Sequence, residues 1–285
     1  MPHQYQFSHG PGLYEIWNNR RMKIKDKVCV VTGAASGIGK ALAMRFAKEG
    51  ARGVVCADLN ESEAKAVAAG IGGLGRRCDV AQEGDMSALV VATLEHYGSV
   101  DIFCSNAGII ARHGLDASLK EWRRTMDINF MAHVLAARAV IPVMLKQGGG
   151  YIVATASAAG LLMQVDSATY TVSKHAAVAF AEWLSVNYAE RGIRVSCLCP
   201  QGVRTPMLLG PSGKRKSFLS EGSVSAEDVA SRVVEAIEAE RFLILPHPEV
   251  AEYERRKTAD RDRWLAGMRR LRAAIIADPK LRGDD

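Results

Sequence analysis

A glycine-rich turn that follows directly on a short apolar run constrains the fold of this chain more than any other feature. The run is residues 28–31, Val-Cys-Val-Val, and the turn after it carries Gly33, Gly37 and Gly39. A buried strand that feeds such a turn and then a helix is typical of dinucleotide-binding α/β proteins, because the helix presents free N–H groups to a phosphate. Three glycines alone also fit an ordinary strand–helix turn, so the prediction needs a second observation.

The second observation is an acidic residue at the end of the next apolar run. Residues 54–57 are apolar and lead into Asp58. This is about twenty residues beyond the glycines, the spacing at which a carboxylate binds the ribose hydroxyls of a dinucleotide. We therefore predict a dinucleotide site that includes the three glycines and Asp58, together with the adjacent residues Ser36, Ile38 and Leu59.

Residues near the middle of the chain predict acid–base chemistry. Tyr170 and Lys174 are four positions apart, so on a helix they share one face. A neighbouring ammonium favours the phenolate, and we expect it to lower the pKa of Tyr170 from about 10 toward working pH, where the phenol can act as general acid or base. Ser157, at the end of the preceding predicted strand, can position a substrate oxygen.

Strands and helices alternate along the chain. Apolar runs predict seven strands, near residues 27–31, 53–57, 75–79, 101–104, 150–155, 193–199 and 242–245. Amphipathic segments predict helices at residues 37–49, 61–70, 82–97, 118–147, 167–190 and 225–240. This alternation predicts an α/β fold, a Rossmann-type doubly wound parallel sheet of about seven strands with helices on both faces.

These residues together resemble the short-chain dehydrogenase/reductase family in its single-domain form, over about residues 25–245. Further motifs that carry the resemblance are Asp79-Val80 after the third strand, Asn106-Ala107-Gly108 after the fourth, and Pro200, Val203 and Thr205 after the sixth. The resemblance implies that these residues contact NAD, together with the predicted dinucleotide site, Tyr170 and Lys174.

The same resemblance implies four catalytic residues and an activity. The residues are Asn129, Ser157, Tyr170 and Lys174. In that family Asn129 would hold a relay water, Ser157 would anchor the substrate oxygen, and Lys174 would lower the pKa of Tyr170 and hold the nicotinamide ribose. The implied protein is an NAD-dependent oxidoreductase that interconverts a secondary alcohol and a ketone, acts on a small molecule, and forms a homotetramer or homodimer.

Two other functions remain open on this fold. One is a catalytically silent NAD(H)-binding sensor or scaffold protein, against which the intact set of four catalytic residues argues. The other is epimerase or dehydratase chemistry with bound NAD, which the standard length and the lack of a dedicated substrate domain disfavour.

Two details refine the expected cofactor site. Asp58 should accept ribose hydroxyls and repel a 2′-phosphate, and neither Ser36 nor Leu59 offers a cation, so we expect NAD rather than NADP. The chain also reads Pro200-Gln201-Gly202 where the family usually has Pro-Gly. We interpret Gln201 as a solvent-facing residue, the alternative being a hydrogen-bond donor near the substrate.

Composition sets the expectations about location and metals. Residues 1–21 carry neither an apolar core nor a cleavage site, and we assign them to an N-terminal extension of a cytoplasmic protein. No apolar stretch looks long enough to span a bilayer. The cysteines lie mostly in strand-like apolar runs and are expected to be reduced, and the histidines are scattered, so we predict no metal site.

The segments after the sixth strand are expected to cover the substrate. We predict a lid at residues 206–223. The catalytic domain is expected to span residues 22–248, and residues 249–285 are expected to form a C-terminal helical extension. We predict a helix over 249–275 with an apolar stripe of Trp264, Met268 and Leu271. The net charge of +6 comes partly from this tail. Because its charges are mixed, we expect it to dock on its own subunit or a neighbour rather than on nucleic acid or a membrane.

Overall fold

The computed structural model describes residues 21–210 and 212–278 of the chain. The strands are β1 (Val28–Thr32), β2 (Gly53–Asp58), β3 (Leu74–Arg77), β4 (Ile102–Ser105), β5 (Gly150–Thr155), β6 (Ile193–Leu198), β7 (Val203–Arg204), β8 (Val224–Ser225) and β9 (Leu243–Ile244). The helices are α1 (Gly37–Lys48), α2 (Glu61–Gly70), α3 (Glu83–Tyr97), α4 (Leu119–Met126), α5 (Ala132–Lys146), α6 (Ala158–Leu161), α7 (Ala168–Tyr188), α8 (Pro206–Leu209), α9 (Ala226–Glu238), α10 (Glu249–Ala259) and α11 (Arg261–Ala277).

Seven of these strands form one parallel sheet, in the order β3-β2-β1-β4-β5-β6-β9. β1 lies between β2 and β4, and Val31 pairs with Cys56 on one side and Cys104 on the other. The chain winds in opposite directions from this point, so the carboxyl ends of β1 and β4 flank the crevice where open α/β sheets bind ligands. The predicted Rossmann-type fold is confirmed.

Apolar helix faces cover both sides of the sheet. One side is packed by α1, α2 and α9, with Phe46 and Ile237 fully buried among the strand valines. The other side is packed by α3, α5 and α7, with Met86, Met144 and Leu184 in its core. Strands that are buried on both faces explain why the strand sequences read as continuous apolar runs rather than as alternating patterns.

One long helical run crosses the second layer and corrects the expectation that no apolar stretch is long enough to span a bilayer. Residues Leu119–Lys146 form a continuous helix that is long and apolar enough, by length and composition alone, to cross a membrane. Ala136, Val140 and Met144 pack its inner face against the sheet. Of its most apolar stretch of 18 residues, 44% is buried in the fold. We therefore assign it to the core layer. Residues Asp127–Met131 within it are wound as a π-helix.

The predicted single helix over 249–275 is wrong. The tail forms two helices, α10 and α11, which are separated at Asp260, where the backbone is extended (φ −150°, ψ 99°). The Asp260 side chain accepts a hydrogen bond from the Arg263 N–H at 2.9 Å and caps α11. An aspartate that bonds a backbone N–H three residues on favours a helix start over a helix interior, which explains the break.

Smaller differences concern the ends of the fold. The short strands β7 and β8, which were not predicted, pair with each other and bracket the segment 206–223. The predicted N-terminal extension, residues 1–21, lies outside the described residues except for Arg21. Ile24 is already buried in the core.

All six cysteines are buried free thiols. Burial raises the pKa of the Cys56 thiol to about 11 and that of Cys78 to about 12, so both remain protonated near neutral pH. They serve as small apolar side chains, in line with their positions in the apolar runs.

Candidate active site

The glycine turn after β1 is shaped by contacts that leave no space for a side chain. Gly33 and Gly37 have positive φ, +67° and +52°. A Cβ on Gly33 would lie 2.9 Å from Ala107 Cα, and a Cβ on Gly39 would lie 2.1 Å from the Gly33 carbonyl oxygen. The turn therefore brings bare backbone to the carboxyl end of the sheet, as a closely approaching phosphate group requires.

The start of α1 and the end of β2 offer contacts to two parts of a dinucleotide, its phosphates and its ribose hydroxyls. Within the described chain, the N-cap residue Ser36 makes no side-chain bond to α1, and the first turn carries no acidic residue. The first N–H groups of α1 can therefore bind phosphate oxygens. Asp58, at the end of β2, accepts hydrogen bonds from the N–H groups of Ala35 at 3.1 Å and Asn60 at 3.0 Å. The carboxylate is fixed beside the turn.

Thr32 ties this turn to the loop after β4. Its hydroxyl oxygen accepts hydrogen bonds from the N–H groups of Asn106 at 2.9 Å and Ala107 at 3.2 Å. The Asn106 side chain donates to the Thr32 carbonyl at 2.9 Å and accepts from the Thr155 hydroxyl at 3.2 Å. The Asn-Ala-Gly turn thus lies directly against the glycine turn.

Tyr170, Lys174 and Ser157 meet on the other side of the crevice. Lys174 Nζ donates to the Thr155 carbonyl at 2.9 Å and lies 5.7 Å from the centre of the Tyr170 ring. Ser157 is the N-cap of α6, where its Oγ accepts from the Ala159 N–H at 3.1 Å. The predicted one-turn spacing on α7 therefore places the phenol and the ammonium side by side.

Asn129 lies behind this group, in the π-helical segment. Its side-chain oxygen accepts from the Ile109 N–H at 2.8 Å, and its Nδ2 donates to the Ile109 carbonyl at 2.9 Å and to Ser173 Oγ at 3.1 Å. A Cβ on Gly108 would lie 3.4 Å from both Asn129 Oδ1 and Lys174 Nζ. Asn129 and the Lys174 ammonium therefore both lie close to Gly108, and π-helical turns occur often at functional sites.

The charges of this group differ from the expectation in one respect. Burial lowers the pKa of Lys174 to about 8, which leaves the ammonium mostly protonated at neutral pH. Burial also raises the pKa of Tyr170, and a hydrogen bond with Ser157 only partly opposes it. The predicted lowering of the Tyr170 pKa by Lys174 is therefore wrong for the polypeptide alone, because desolvation of the phenolate outweighs the neighbouring groups.

Nearly all the predicted site residues line one cavity of about 770 Å³. On the cofactor side they are Gly33, Ser36, Gly37, Ile38, Gly39, Asp58, Leu59, Asp79, Val80, Asn106, Ala107, Gly108, Pro200, Val203 and Thr205. Ser157, Tyr170 and Lys174 also line it. Asn129 is the predicted site residue that does not line it, since it is fully buried behind Gly108.

Much of the apolar surface of the cavity comes from two late segments, which also contribute Glu221, Glu249 and Arg256 to its lining. Met207, Leu208, Phe218 and Leu219 contribute from the predicted lid. The predicted tail stripe of Trp264, Met268 and Leu271 faces them from α11. The tail therefore docks on its own subunit, where it lines the same cavity as the glycine turn.

His247 lies in the site although no motif in the sequence pointed to it. It is buried directly after β9, and its Nδ1 accepts from the Gln201 N–H at 3.1 Å while its Nε2 donates to the Gly202 carbonyl at 3.1 Å. Gln201 is half-buried and lines the cavity, so its position favours the alternative interpretation, a residue near the substrate, over a solvent-facing one. The position of His247 at the end of a predicted parallel strand was the available signal, because all such ends lie at one edge of the sheet.

The structure also brings cations to the cavity that no local motif indicated. Arg112 lines it and pairs with Asp166 at 2.9 Å. Arg124 lines it near the predicted adenosine end, and with Lys120 and Arg123 it borders a second depression that includes Leu59. The residues next to Asp58 in sequence therefore did not reveal the positive charge that the fold brings to the predicted adenosine end of the cavity.

Comparison with known proteins decides the family. A model of the short chain dehydrogenase family matches residues 27–213. The chain belongs to the short-chain dehydrogenase/reductase family. The match begins just before β1 and runs through the glycine turn, Tyr170 and Lys174 to the first part of the lid.

Relatives of this family share most of the chain. A 1-deoxy-11-beta-hydroxypentalenate dehydrogenase of Streptomyces exfoliatus is 37% identical over 80% of this chain and 86% of its own. A 3beta-hydroxysteroid dehydrogenase of Mediterraneibacter gnavus is 34% identical over 72% of this chain and 76% of its own. The crystal structure of a family member from Burkholderia phymatum in complex with NAD superposes with a TM-score of 0.77, at 31% identity, over 85% of this chain and 96% of its own. The relatives are named as dehydrogenases of hydroxyl compounds, so the chain is an oxidoreductase of this family.

Proposed function

We propose that the chain is an NAD-dependent dehydrogenase that interconverts a secondary alcohol and a ketone. The observation that carries the proposal is the meeting of Ser157, Tyr170 and Lys174 in the cavity that also contains the glycine turn. Bound NAD would supply the hydride acceptor, held by the start of α1, by Asp58 and by the loop after β4. The bare glycine backbone and the uncapped start of α1 support this fit.

The four proposed catalytic residues divide the proton chemistry. Tyr170 takes the substrate hydroxyl proton at Oη during oxidation and returns it during reduction. Ser157 binds the same substrate oxygen. Lys174, whose pKa of about 8 keeps it mostly protonated at neutral pH, is a cation that opposes the effect of burial on the Tyr170 phenolate before it takes the proton. Asn129, buried next to Lys174, holds the water through which the proton reaches solvent.

The proposed cofactor is NAD rather than NADP. Asp58 carries its charge at the end of β2, where the ribose hydroxyls of an adenosine would lie, and a carboxylate repels a 2′-phosphate. The solved relative in complex with NAD supports the choice. Arg124 lines the same end of the cavity and argues for NADP, so the preference must be measured.

The proposed substrate is an apolar, cyclic secondary alcohol. The wall opposite the cofactor is built from Met207, Phe218, Trp264 and Leu271, which offer surface to a hydrocarbon skeleton. Two relatives are named for a hydroxypentalenate and a hydroxysteroid. Both the wall and these names favour a ring system over a short linear alcohol.

Assembly and location complete the proposal. Trp183 and Val186 on α7 and Met131 at the start of α5 expose apolar surface, as does Leu119. Apolar side chains clustered on neighbouring helices favour burial against another copy of the chain. We propose a homotetramer or homodimer in the cytoplasm.

One assay separates this proposal from the two alternatives. The purified protein is tested for nucleotide retained after purification and for reduction of NAD and NADP by cyclic secondary alcohols. Reduction of free NAD in proportion to alcohol supports the dehydrogenase. Retained NAD without net reduction supports an epimerase or dehydratase, and binding without any turnover across the panel supports a sensor or scaffold.

A further inference from the structure

Lys257, on α10, makes the polar contacts that join the C-terminal hairpin to the active-site helices. The hairpin is α10 and α11 together. Lys257 Nζ donates to the carbonyl oxygens of Leu161 at 2.5 Å and Leu162 at 3.0 Å, and it lies 3.3 Å from His175 Nε2. These three partners belong to α6, to the residue after it and to α7, which are the elements that carry Ser157 and Tyr170.

The hydrogen positions of this contact are set by the second nitrogen of His175. His175 Nδ1 lies 2.9 Å from the Thr171 carbonyl, which can only accept, so Nδ1 carries the proton. Nε2 of the neutral ring is then a lone pair that accepts from the ammonium. Lys257 has three N–H groups, and the two carbonyls and Nε2 use all of them.

The Lys257 contact lies beside two groups of residues that line the cavity, one from α6 and the residues after it and one from the hairpin. Leu162 and the following residues Met163 and Gln164 line the cavity on the α6 side. Tyr253, one turn before Lys257 on α10, and Trp264 at the start of α11 line it on the hairpin side. Releasing Lys257 would separate these two surfaces without touching the cofactor side.

We propose that Lys257 is a positioning residue that holds the C-terminal hairpin closed over the substrate, and that it does so only while His175 is neutral. The inference rests on the proposed dehydrogenase function. It adds a point of control at His175, the residue directly after Lys174, which lies 82 residues from Lys257 in the sequence.

The chemistry of the contact sets a lower pH limit for the closed state. Protonation of His175 replaces the acceptor by a cation that faces the Lys257 ammonium. Burial lowers the pKa of His175, the hydrogen bond to the Thr171 carbonyl opposes this lowering, and Lys257 and Arg261 add to it. Burial and Arg261 lower the pKa of Lys257, while Glu254 raises it. Closure is therefore complete above the usual histidine pKa of about 6.5 and is lost as pH falls through the lower value in the closed state.

The first test compares Lys257→Met with Arg263→Met. Both remove one positive charge from the hairpin, but Arg263 is exposed and, in the described chain, its side chain has no hydrogen bond or ion pair with α6 or α7. Lys257→Met should raise the substrate KM about ten-fold, as expected for the loss of hydrogen bonds to a half-buried charge, with kcat and the NAD Kd nearly unchanged. Arg263→Met should match the wild type.

Hydrogen–deuterium exchange gives a readout that does not depend on turnover. Lys257→Met should exchange faster than wild type at residues 158–164 and 249–277, and equally at the glycine turn. If KM and exchange both match the wild type, the proposal is overturned. If no protein turns over any alcohol but the exchange difference is present, the dehydrogenase function fails and the Lys257 contact stands.

The second test uses His175→Gln, which keeps an acceptor that does not titrate. The wild-type substrate KM should rise several-fold as pH falls below the His175 pKa, and this rise should be absent in His175→Gln. A rise of equal size in both proteins would overturn the role of His175. Should Lys257→Met fail to fold, exchange in wild type and His175→Gln, compared at each pH, decides the same question.

Discussion

On one side the cavity is lined by backbone and glycine, and on the other by side chains from two late segments. The cofactor side is formed at the carboxyl ends of β1, β2 and β4, where a Cβ on Gly33 or Gly39 would collide with main-chain atoms. The substrate side is formed by Phe218, Trp264 and their neighbours, which lie outside the sheet. The first surface cannot vary without disturbing the fold, whereas the second can accept other side chains. We therefore expect a substitution on the substrate side to change substrate binding without changing cofactor binding, and the reverse for a substitution on the cofactor side.

The largest effect is expected at Tyr170, where the two sides meet. Tyr170→Phe keeps the ring but removes the hydroxyl that transfers the proton. Turnover should fall about 10²- to 10⁴-fold, the usual contribution of acid–base catalysis, while the NAD Kd stays near wild type. Steady-state rates and calorimetric titration with NADH measure both. Activity within a few-fold of wild type would remove Tyr170 from the catalytic role.

A smaller effect, confined to the cofactor side, is expected from Gly33→Ala. The added Cβ meets Ala107 Cα at 2.9 Å and the backbone keeps its positive φ of +67°. This strain should cost about 1–3 kcal/mol of stability and weaken NAD binding. Gly84→Ala in α3 is the matched control, because apart from its chain neighbours and the nearby backbone of its own helix, no atom of the described chain lies within 4 Å of the added Cβ. Equal melting temperatures for the two variants would show that the turn tolerates a side chain.

The choice between cofactors should change least. Asp58→Ala combined with Leu59→Arg removes the charge that repels a 2′-phosphate and adds one that attracts it. The ratio of kcat/KM for NAD to that for NADP should fall roughly ten-fold, as the loss of one exposed charge contact implies. Arg124→Met in the wild-type background tests whether the nearby cation already supports NADP. A wild-type preference for NADP would contradict the proposed cofactor.

Local patterns predicted residues that the fold brings together in one cavity. A glycine at a turn of positive φ, a carboxylate at a strand end and a tyrosine one turn from a lysine are all visible within a few residues of sequence. Parallel strands bring their carboxyl ends to one edge, so these motifs converge even though they are far apart in the chain. The predicted fold was confirmed for the same reason.

Contacts between distant segments were not visible in the sequence. The pairing of His247 with Gln201 and Gly202 joins residues about 46 apart, and the contact of Lys257 with Leu161 joins residues 96 apart. Neither pair carries a motif. The sequence also showed that Lys174 neighbours Tyr170 but not how deeply the phenol is buried, and burial reversed the expected direction of its pKa.

We propose that one cavity holds the cofactor on its backbone side and the substrate against the C-terminal hairpin. Truncation after Pro248 separates the two sides, because it removes α10 and α11 but keeps His247 and the loop that it supports. The substrate KM should rise at least about ten-fold, since the lost side chains include Trp264, while the NAD Kd stays within about two-fold. If the truncated chain does not fold, Trp264→Ala serves in its place. An unchanged KM, or an NAD Kd that rises in step with it, would contradict the account.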